Sequence, residues 1–164
     1  MKITALTLCL LAFGSMATQA AELNAPAPGC RVQTLTGQSS VDPAAFPGKV
    51  VYLDFWASWC IPCAKSFPVL DQWQSELGGR GFEVIAINLD EERQEALDFL
   101  QQHPVRFTIG ADPAGKCPRL YAVRGMPTSY LIDRQGRIRE VHEGFKTSDA
   151  AGLRARIESL LSER

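Results

Sequence analysis

Residues 50–63 read VVYLDFWASWCIPC, and this stretch decides the fold. Its first half is apolar and rich in β-branched and aromatic side chains, as expected of a buried central strand over 50–57. It ends in two thiols, Cys60 and Cys63, at the start of a predicted helix whose first turn tolerates Pro62. Two thiols at this spacing can close into a small disulfide and reopen. Because so small a loop gives little chain-entropy stabilisation, the spacing favours dithiol–disulfide exchange over a structural cross-link.

Strand-like and helix-like segments alternate outward from this stretch. The predicted strands are residues 31–35, 50–57, 82–89, 107–110, 128–132 and 138–143, and the predicted helices are 60–77, 91–102 and a last one from Thr147. Pro68 is expected to kink the first helix, and Asp90 to cap the second. A strand, a crossover helix and a second strand imply a parallel βαβ unit, and the hairpin turn at residues 133–136 adds antiparallel strands. The sequence therefore predicts an α/β fold with a mixed central sheet flanked by helices.

The first twenty residues differ in composition from the rest of the chain. Lys2 precedes a short apolar stretch over 3–17, and small residues lead to Ala20, which is typical of a secretory signal cleaved after Ala20. The alternative is an uncleaved membrane anchor, but a spanning helix needs about 20 apolar residues. We expect residues 21–29, rich in Ala and Pro, to be a flexible lead-in and residues 30–164 to form the folded domain.

The charge balance and the cysteine count narrow the class of protein. The 164 residues carry 17 basic and 18 acidic side chains without a basic stripe, so nothing points to a nucleic-acid partner. Cleavage of the signal would remove Cys9 and place the four remaining cysteines in an oxidising compartment, where disulfides persist. An even number outside the first pair predicts a structural disulfide between Cys30 and Cys117. Free buried thiols and a second redox centre stay open as alternatives.

The helix start should make the two active thiols unequal. Cys60 would lie where backbone N–H groups are unpaired, and these groups favour the thiolate that attacks a disulfide. Cys63, one turn further in and more buried, would act second and release the substrate from a mixed disulfide with Cys60. Trp56 and Trp59 flank the site and are expected to form an apolar rim.

Other uses of the same two thiols remain possible on the sequence alone. A zinc site would need further ligands, and the two histidines, His103 and His142, are separated from each other and expected to be structural. A copper(I) chaperone would use the thiols as soft ligands, but no Met-rich or His cluster accompanies them. An oxidant or isomerase also stays open, because the dipeptide Ile61-Pro62 does not set the direction of exchange. We expect no metal and no organic cofactor.

Two motifs in this order resemble a known superfamily. Residues 54–63, DFWASWCIPC, resemble the active-site segment of the thioredoxin superfamily, and residues 125–128, GMPT, resemble its cis-proline loop. The signal, the N-terminal strand region and an inserted helix and strand between about 90 and 110 make the chain most similar to the TlpA/ResA/CcmG-type branch. Over residues 31–161 the resemblance implies a thioredoxin fold with an N-terminal strand extension and a central βα insertion. It implies the activity of an extracytoplasmic thiol–disulfide oxidoreductase.

The same resemblance assigns roles to individual residues. It implies a cis bond before Pro127 and five substrate-binding residues beside the cysteines: Trp59, Ile61, Pro62, Met126 and Pro127. Asp54, an acid in an otherwise apolar strand, matches the buried aspartate that moves protons to and from the second cysteine. The glutamate that the branch carries after the cysteines is replaced by Ser66, and the lysine of thioredoxin by Ala86. Asp54 is therefore expected to be the sole proton carrier near Cys63.

Partners and location are also implied by the resemblance. The reaction is expected to run toward reduction of protein disulfides, with electrons from a membrane thiol transporter of the DsbD/CcdA kind. Cytochrome c precursors or copper-centre assembly proteins are the expected clients, and the protein is expected to be a periplasmic monomer. An oxidant or isomerase of the DsbA/DsbC type is the alternative, and a peroxidase is disfavoured because the segment before Cys60 lacks a peroxiredoxin loop.

Overall fold

A computed structural model describes residues 21–163, and the predicted signal segment lies outside them. The described residues form seven strands and four helices, with short 3-10 turns at Gly78–Arg80 and Thr147–Asp149. In chain order these are β1 (Val32–Thr34), β2 (Ser40–Val41), β3 (Val50–Trp56), α1 (Ile61–Leu77), β4 (Phe82–Asn88), α2 (Arg93–Gln102), β5 (Thr108–Ala111), α3 (Lys116–Leu120), β6 (Thr128–Ile132), β7 (Ile138–Glu143) and α4 (Ala150–Ser162).

The strands form one mixed sheet in the order β2-β1-β5-β4-β3-β6-β7. Strand β3 runs parallel to β4 and antiparallel to β6, and all seven of its residues are buried. A strand with neighbours on both sides and helices on both faces has no solvated side, which explains its continuous apolar sequence. The predicted mixed sheet with flanking helices is confirmed.

Successive side chains of β3 point to opposite faces of the sheet, and each face has its own apolar layer. Tyr52 and Trp56 join the layer that includes α1 and α4, and Leu53 and Phe55 join the layer that includes α3. Asp54 follows the alternation and lies on the face of Tyr52 and Trp56. The one acid of this strand is therefore placed in the same layer as the active-site helix.

The insertion between β4 and the later hairpin supplies α2 and β5. Strand β5 pairs in parallel with β4, and β1 pairs antiparallel with β5, so the N-terminal extension lengthens the sheet at this edge. The short strand β2 was not predicted. Helix α2 begins at Arg93, two residues later than predicted, and Glu92, the capping residue before it, makes no capping bond with its side chain. The prediction that Asp90 caps this helix is wrong, because its carboxylate is bound elsewhere.

Residues 21–29, expected as a flexible lead-in, make specific contacts with the domain. The Asn24 N–H donates to the Ile138 carbonyl at 2.7 Å, and the Ala27 N–H donates to the Gly136 carbonyl at 2.8 Å. The Tyr121 hydroxyl donates to the Pro28 carbonyl at 2.8 Å. The two backbone bonds lay the segment along the turn before β7 and the first residue of that edge strand, where they cover backbone groups that would otherwise be exposed. The packed part of the chain thus begins before Cys30.

Candidate active site

The first active-site thiol stands where the central strand gives way to helix α1. Cys60 is the N-terminal capping residue of α1, with extended backbone, and its Sγ accepts a hydrogen bond from the Cys63 N–H at 3.3 Å. Helix α1 continues through Pro68 to Leu77 as one helix. A sulfur at this position faces the unpaired N–H groups of the first turn, and these favour its thiolate form.

The two thiols are joined in a disulfide, and their surroundings differ. The Cα atoms of Cys60 and Cys63 are 5.2 Å apart, within the usual span of a disulfide. Cys63 is fully buried in the layer beneath α1, whereas 4% of Cys60 is exposed. Of the two sulfurs, Cys60 is therefore the one nearer to solvent, as the sequence predicted.

Exposed apolar side chains surround the edge of Cys60. Trp59 is 68% exposed and Ile61 is 73% exposed, values that are unusual for large apolar residues. Both line a groove of about 380 Å³ that runs from Cys60 to α2, where Glu95 and Phe99 form its far side. Trp56, which was expected to share this rim, is instead fully buried in the core, so the rim consists of Trp59 and Ile61.

The loop before β6 lies near the thiols, beside the end of β3. The Met126–Pro127 bond is cis, as the resemblance implies. Thr128 pairs with Phe55 near the end of β3, which places Pro127 beside the strand end from which the cysteine loop departs. Met126 packs against the apolar layer that contains both cysteines. This loop thus lies next to the disulfide, with the Pro127 carbonyl accepting from the Gly144 N–H at 2.7 Å.

Asp54 is buried in the layer beneath α1 with 2% of its surface exposed. Its Oδ2 atom has no hydrogen-bond partner among the described residues. Burial raises the pKa of the Asp54 carboxyl well above its ordinary value, because the charged form loses its hydration. A carboxyl that is easily protonated in the layer of Cys63 has the properties of a proton acceptor for that thiol.

The structure also reveals a polar anchor that sequence reasoning missed. The Asp90 carboxylate accepts hydrogen bonds from the Ser58 N–H at 3.0 Å, from the Ser58 hydroxyl at 3.2 Å and from the Asn88 side-chain amide at 2.7 Å. It thereby holds the loop before Cys60 against the end of β4. The signal was present in the sequence, since the carboxyl ends of two neighbouring parallel strands meet at one edge and Asp90 follows the second of them.

The second cysteine pair lies on the opposite face of the sheet. Cys30 and Cys117 are joined in a disulfide with their Cα atoms 5.6 Å apart, and both residues are buried. The sheet lies between this pair and the layer that contains Cys60 and Cys63. The bond ties the start of the domain to α3.

Within residues 21–163, no group of three or more His, Cys, Asp or Glu side chains is arranged to hold a metal ion. Over the same residues, no helix combines the length and apolar character needed to cross a bilayer.

A family model and curated relatives show which family the chain belongs to. The family model described as Redoxin matches residues 22–157, which is most of the chain. The chain belongs to the Redoxin family. Among curated proteins, it is 32% identical over 128 residues to the thiol-disulfide oxidoreductase ResA of Bacillus thuringiensis, covering 78% of this chain and 73% of that one. ResA of Bacillus subtilis is 30% identical over 112 residues, covering 68% of this chain and 63% of that one.

Two solved structures of thiol–disulfide proteins are similar to this chain in fold and in sequence. A Chlorobium tepidum protein assigned as a thiol:disulfide interchange protein DsbE superposes on the chain with a TM-score of 0.83 at 43% identity, over 87% of this chain and 100% of that one. A Bacteroides thetaiotaomicron protein assigned as a protein disulfide isomerase gives a TM-score of 0.77 at 28% identity, over 87% and 92%. The predicted thioredoxin fold and TlpA/ResA/CcmG-type resemblance are confirmed. This member of the Redoxin family is a thiol–disulfide oxidoreductase, and protein thiols are its class of substrate.

Proposed function

We propose that this protein reduces disulfides of client proteins outside the cytoplasm, using Cys60 as the attacking thiol and Cys63 as the resolving thiol. The observation that carries the exchange chemistry is the position of Cys60 at the N-terminus of α1, with its sulfur accepting the Cys63 N–H. The reductive direction rests on the resemblance to the TlpA/ResA/CcmG-type branch. The N-terminal end of a helix stabilises the Cys60 thiolate that attacks the client disulfide. The location rests on the signal-like composition of residues 1–20.

The reaction takes two exchange steps. In the first, the Cys60 thiolate bonds to one sulfur of the client disulfide, and the other client sulfur leaves as a thiolate. In the second, Cys63 gives its proton to Asp54 in the fraction of molecules in which that carboxyl is ionised, and bonds to the Cys60 sulfur, and the client sulfur leaves as a second thiolate. The client has gained two electrons and the protein has lost two, so its disulfide must be reduced again by a thiol donor. We propose a membrane thiol transporter of the DsbD/CcdA kind as that donor, and no metal or organic cofactor.

The client segment is held in extended form across Cys60. Its backbone pairs with that of Met126 beside the cis bond to Pro127, and its apolar side chains rest on Trp59, Ile61 and Pro62. The exposure of Trp59 and Ile61 supports this role, since both line one groove beside Cys60 and a contiguous apolar patch at a surface is typical of an interaction site. Cytochrome c precursors or copper-centre assembly proteins are the proposed clients, bound by a monomer.

Two variants and a measurement of the reduction potential of the Cys60–Cys63 pair test the proposal. Cys60→Ser should abolish insulin reduction, and Cys63→Ser should accumulate a mixed disulfide between Cys60 and the client that mass spectrometry detects. A Cys60→Ser protein that still reduces insulin at the unaltered rate would overturn the assignment. A reduction potential near or below that of thioredoxin, about −270 mV, supports a reductase, whereas one near −120 mV makes the protein an oxidant.

A further inference from the structure

Three buried polar side chains lie where the parallel strands β3, β4 and β5 end. Asn88 is the last residue of β4, Asp90 follows that strand, and Asp112 follows β5. Each is at most 5% exposed, although polar side chains of these kinds are mostly found at the surface. The strands end in register, with Asn88 opposite both Trp56 and Ala111, so the three side chains gather at one edge of the sheet. We name them the strand-end network.

Hydrogen bonds link this network to the loop before Cys60. The Asp90 carboxylate, which holds Ser58, is itself held by Asn88 through two bonds. The Asn88 side-chain amide donates to Asp90 Oδ2 at 2.7 Å, and the Asp90 N–H donates to Asn88 Oδ1 at 3.2 Å. Ser58 lies inside the turn that the Cys60 N–H closes on the Ala57 carbonyl at 3.1 Å. Asn88 therefore orients the carboxylate that holds this turn.

The other end of the network is tied to α3 and to the second disulfide. The Asp112 N–H donates to the Asn88 carbonyl at 2.9 Å, and the Asp112 carboxylate accepts the Cys117 N–H at 2.6 Å. Cys117 is joined to Cys30 by the disulfide on the opposite face of the sheet. A series of hydrogen bonds thus leads from this disulfide, around the strand ends, to the turn before Cys60.

The bonding of the network is complete. Burying a polar group costs free energy unless the group is hydrogen-bonded, and none of the three side chains has an unpaired buried atom among the described residues. A fully bonded polar network holds its members in one arrangement, because a shift of one member leaves its neighbour without a partner. The loop that this arrangement fixes is the one that carries Cys60.

We propose that Asn88 and Asp112 are positioning residues for the Cys60 sulfur. Both act through Asp90, which holds the turn and so keeps the sulfur at the N-terminus of α1. The proposal rests on the proposed function, in which the Cys60 thiolate attacks the client. The Cys60 sulfur accepts the Cys63 N–H at 3.3 Å because the preceding turn keeps it at the capping position. Misplacement of a reacting group by about 1 Å can cost about 10²-fold in rate.

Loss of this positioning should reduce the ionised fraction of Cys60. The favourable field of a helix N-terminus falls off within its first turn, so a displaced sulfur loses the stabilisation of its thiolate. Asn88→Ala changes no charge, and Asp90 keeps its own. A change in the ionisation of Cys60 in this variant therefore reports the position of the sulfur and not the removal of a neighbouring charge.

The pH profile of Cys60 alkylation tests the proposal. In a Cys63→Ser background the active site has one thiol, and iodoacetamide reacts with its thiolate, read by mass spectrometry of the Cys60 peptide. Asn88→Ala should move the profile to higher pH, so that alkylation near pH 6 slows by about tenfold, part of the roughly 10²-fold cost of misplacement. At high pH, where the thiol is ionised in both proteins, the variant should react at least as fast, because a more basic thiolate is more nucleophilic. A purely structural role would lower stability without moving the profile.

Asp112 offers a matched pair of variants. Asp112→Ala and Asp112→Asn remove the same negative charge, but only asparagine keeps an oxygen that can accept the Cys117 N–H. Asp112→Ala should move the profile in the same direction as Asn88→Ala but by less, because Asp112 lies one bond further from the turn. Asp112→Asn should restore the profile. Asp42→Ala is the control, because Asp42 accepts the N–H of Cys30, the other half of the same disulfide, at 3.0 Å and lies outside the series. It should lower stability and leave the profile in place.

An Asp90→Ala background shows whether Asn88 acts through Asp90. In that background Asn88→Ala should cause no further shift of the profile. An unmoved profile in Asn88→Ala, an equal slowing at every pH, or a full additional shift without Asp90 would overturn the positioning role. Identical profiles for Asp112→Ala and Asp112→Asn would remove Asp112 from it, and this pair decides alone if Asn88→Ala does not fold. The proposed function fails by a different result, namely a Cys60→Ser protein that still reduces insulin.

Discussion

Asp54→Asn should stabilise the protein, and the gain should grow with pH. Asp54 is buried without a partner for Oδ2, and burial raises the pKa of its carboxyl well above the ordinary value. Over the pH range between its unfolded and folded pKa, the carboxyl is neutral in the folded protein and ionised in the unfolded chain. The folded protein then binds one proton more than the unfolded chain, so its free energy of unfolding falls as the pH rises.

The magnitude follows from proton linkage. The contribution of Asp54 is fully present below the unfolded pKa, about 4, and is lost as the pH rises toward the folded pKa. Within that window each pH unit costs about 1.4 kcal/mol, so two units cost about 2.7 kcal/mol. The asparagine side chain of the variant does not titrate, and the variant should therefore keep the stability that the wild type loses. Above the folded pKa of Asp54, the difference between the two proteins should become constant.

Urea denaturation of the oxidised proteins measures this difference. Both disulfides stay closed so that no thiol titrates, and unfolding is followed by tryptophan fluorescence at half-unit steps from pH 4 upward. All other groups titrate alike in both proteins, so the difference in the free energy of unfolding isolates Asp54. A difference that stays constant from pH 4 to 8, or one that falls with pH, would refute the argument that Asp54 is buried in its neutral form.

Other contacts lead to further expected outcomes. Replacing Cys30 and Cys117 together by Ser opens a loop of 87 residues and should lower the free energy of unfolding by up to about 4 kcal/mol in urea, whereas a loss below about 1 kcal/mol would contradict a structural tether. Asp90→Ala leaves the Ser58 N–H without its acceptor and should cost about 2 kcal/mol together with slower insulin reduction, with partial recovery in Asp90→Asn. Trp59→Ala should change stability by less than about 0.5 kcal/mol and raise the KM for insulin, with dithiothreitol oxidation as the unchanged control.

Much of the fold was predictable because its strongest signals are local. The apolar run of β3, the two cysteines at a helix start and the turn at residues 133–136 each depend on neighbouring residues alone. That turn forms as predicted, with the Asp133 carboxylate accepting from the Gln135 and Arg137 N–H groups. The short strand β2 and the packing of residues 21–29 on β7 depend instead on partners far along the chain, and no local pattern specifies them.

The residues of the candidate site also fall into those that the local sequence predicts and those that depend on partners far along the chain. The positions of Cys60 and Cys63 follow from the motif, and the burial of Asp54 follows from its place in an apolar strand. Asp90 was misassigned because a residue that precedes a helix is read as a cap when only its own neighbours are considered. Its actual partner, Ser58, is 32 residues away and becomes adjacent only when β3 and β4 pair in parallel.

The burial of Asp54 lowers stability at neutral pH, and this cost is itself informative. An amide or an apolar residue would fit the same layer without a charge to desolvate, so packing alone gives no reason for an acid at this position. The acid gains a purpose from Cys63, which lies in the same layer and must lose a proton that no water can readily collect there. The stability curve of Asp54→Asn measures the cost of this acid, and the rate at which Cys60 and Cys63 close their disulfide in the same variant measures its use.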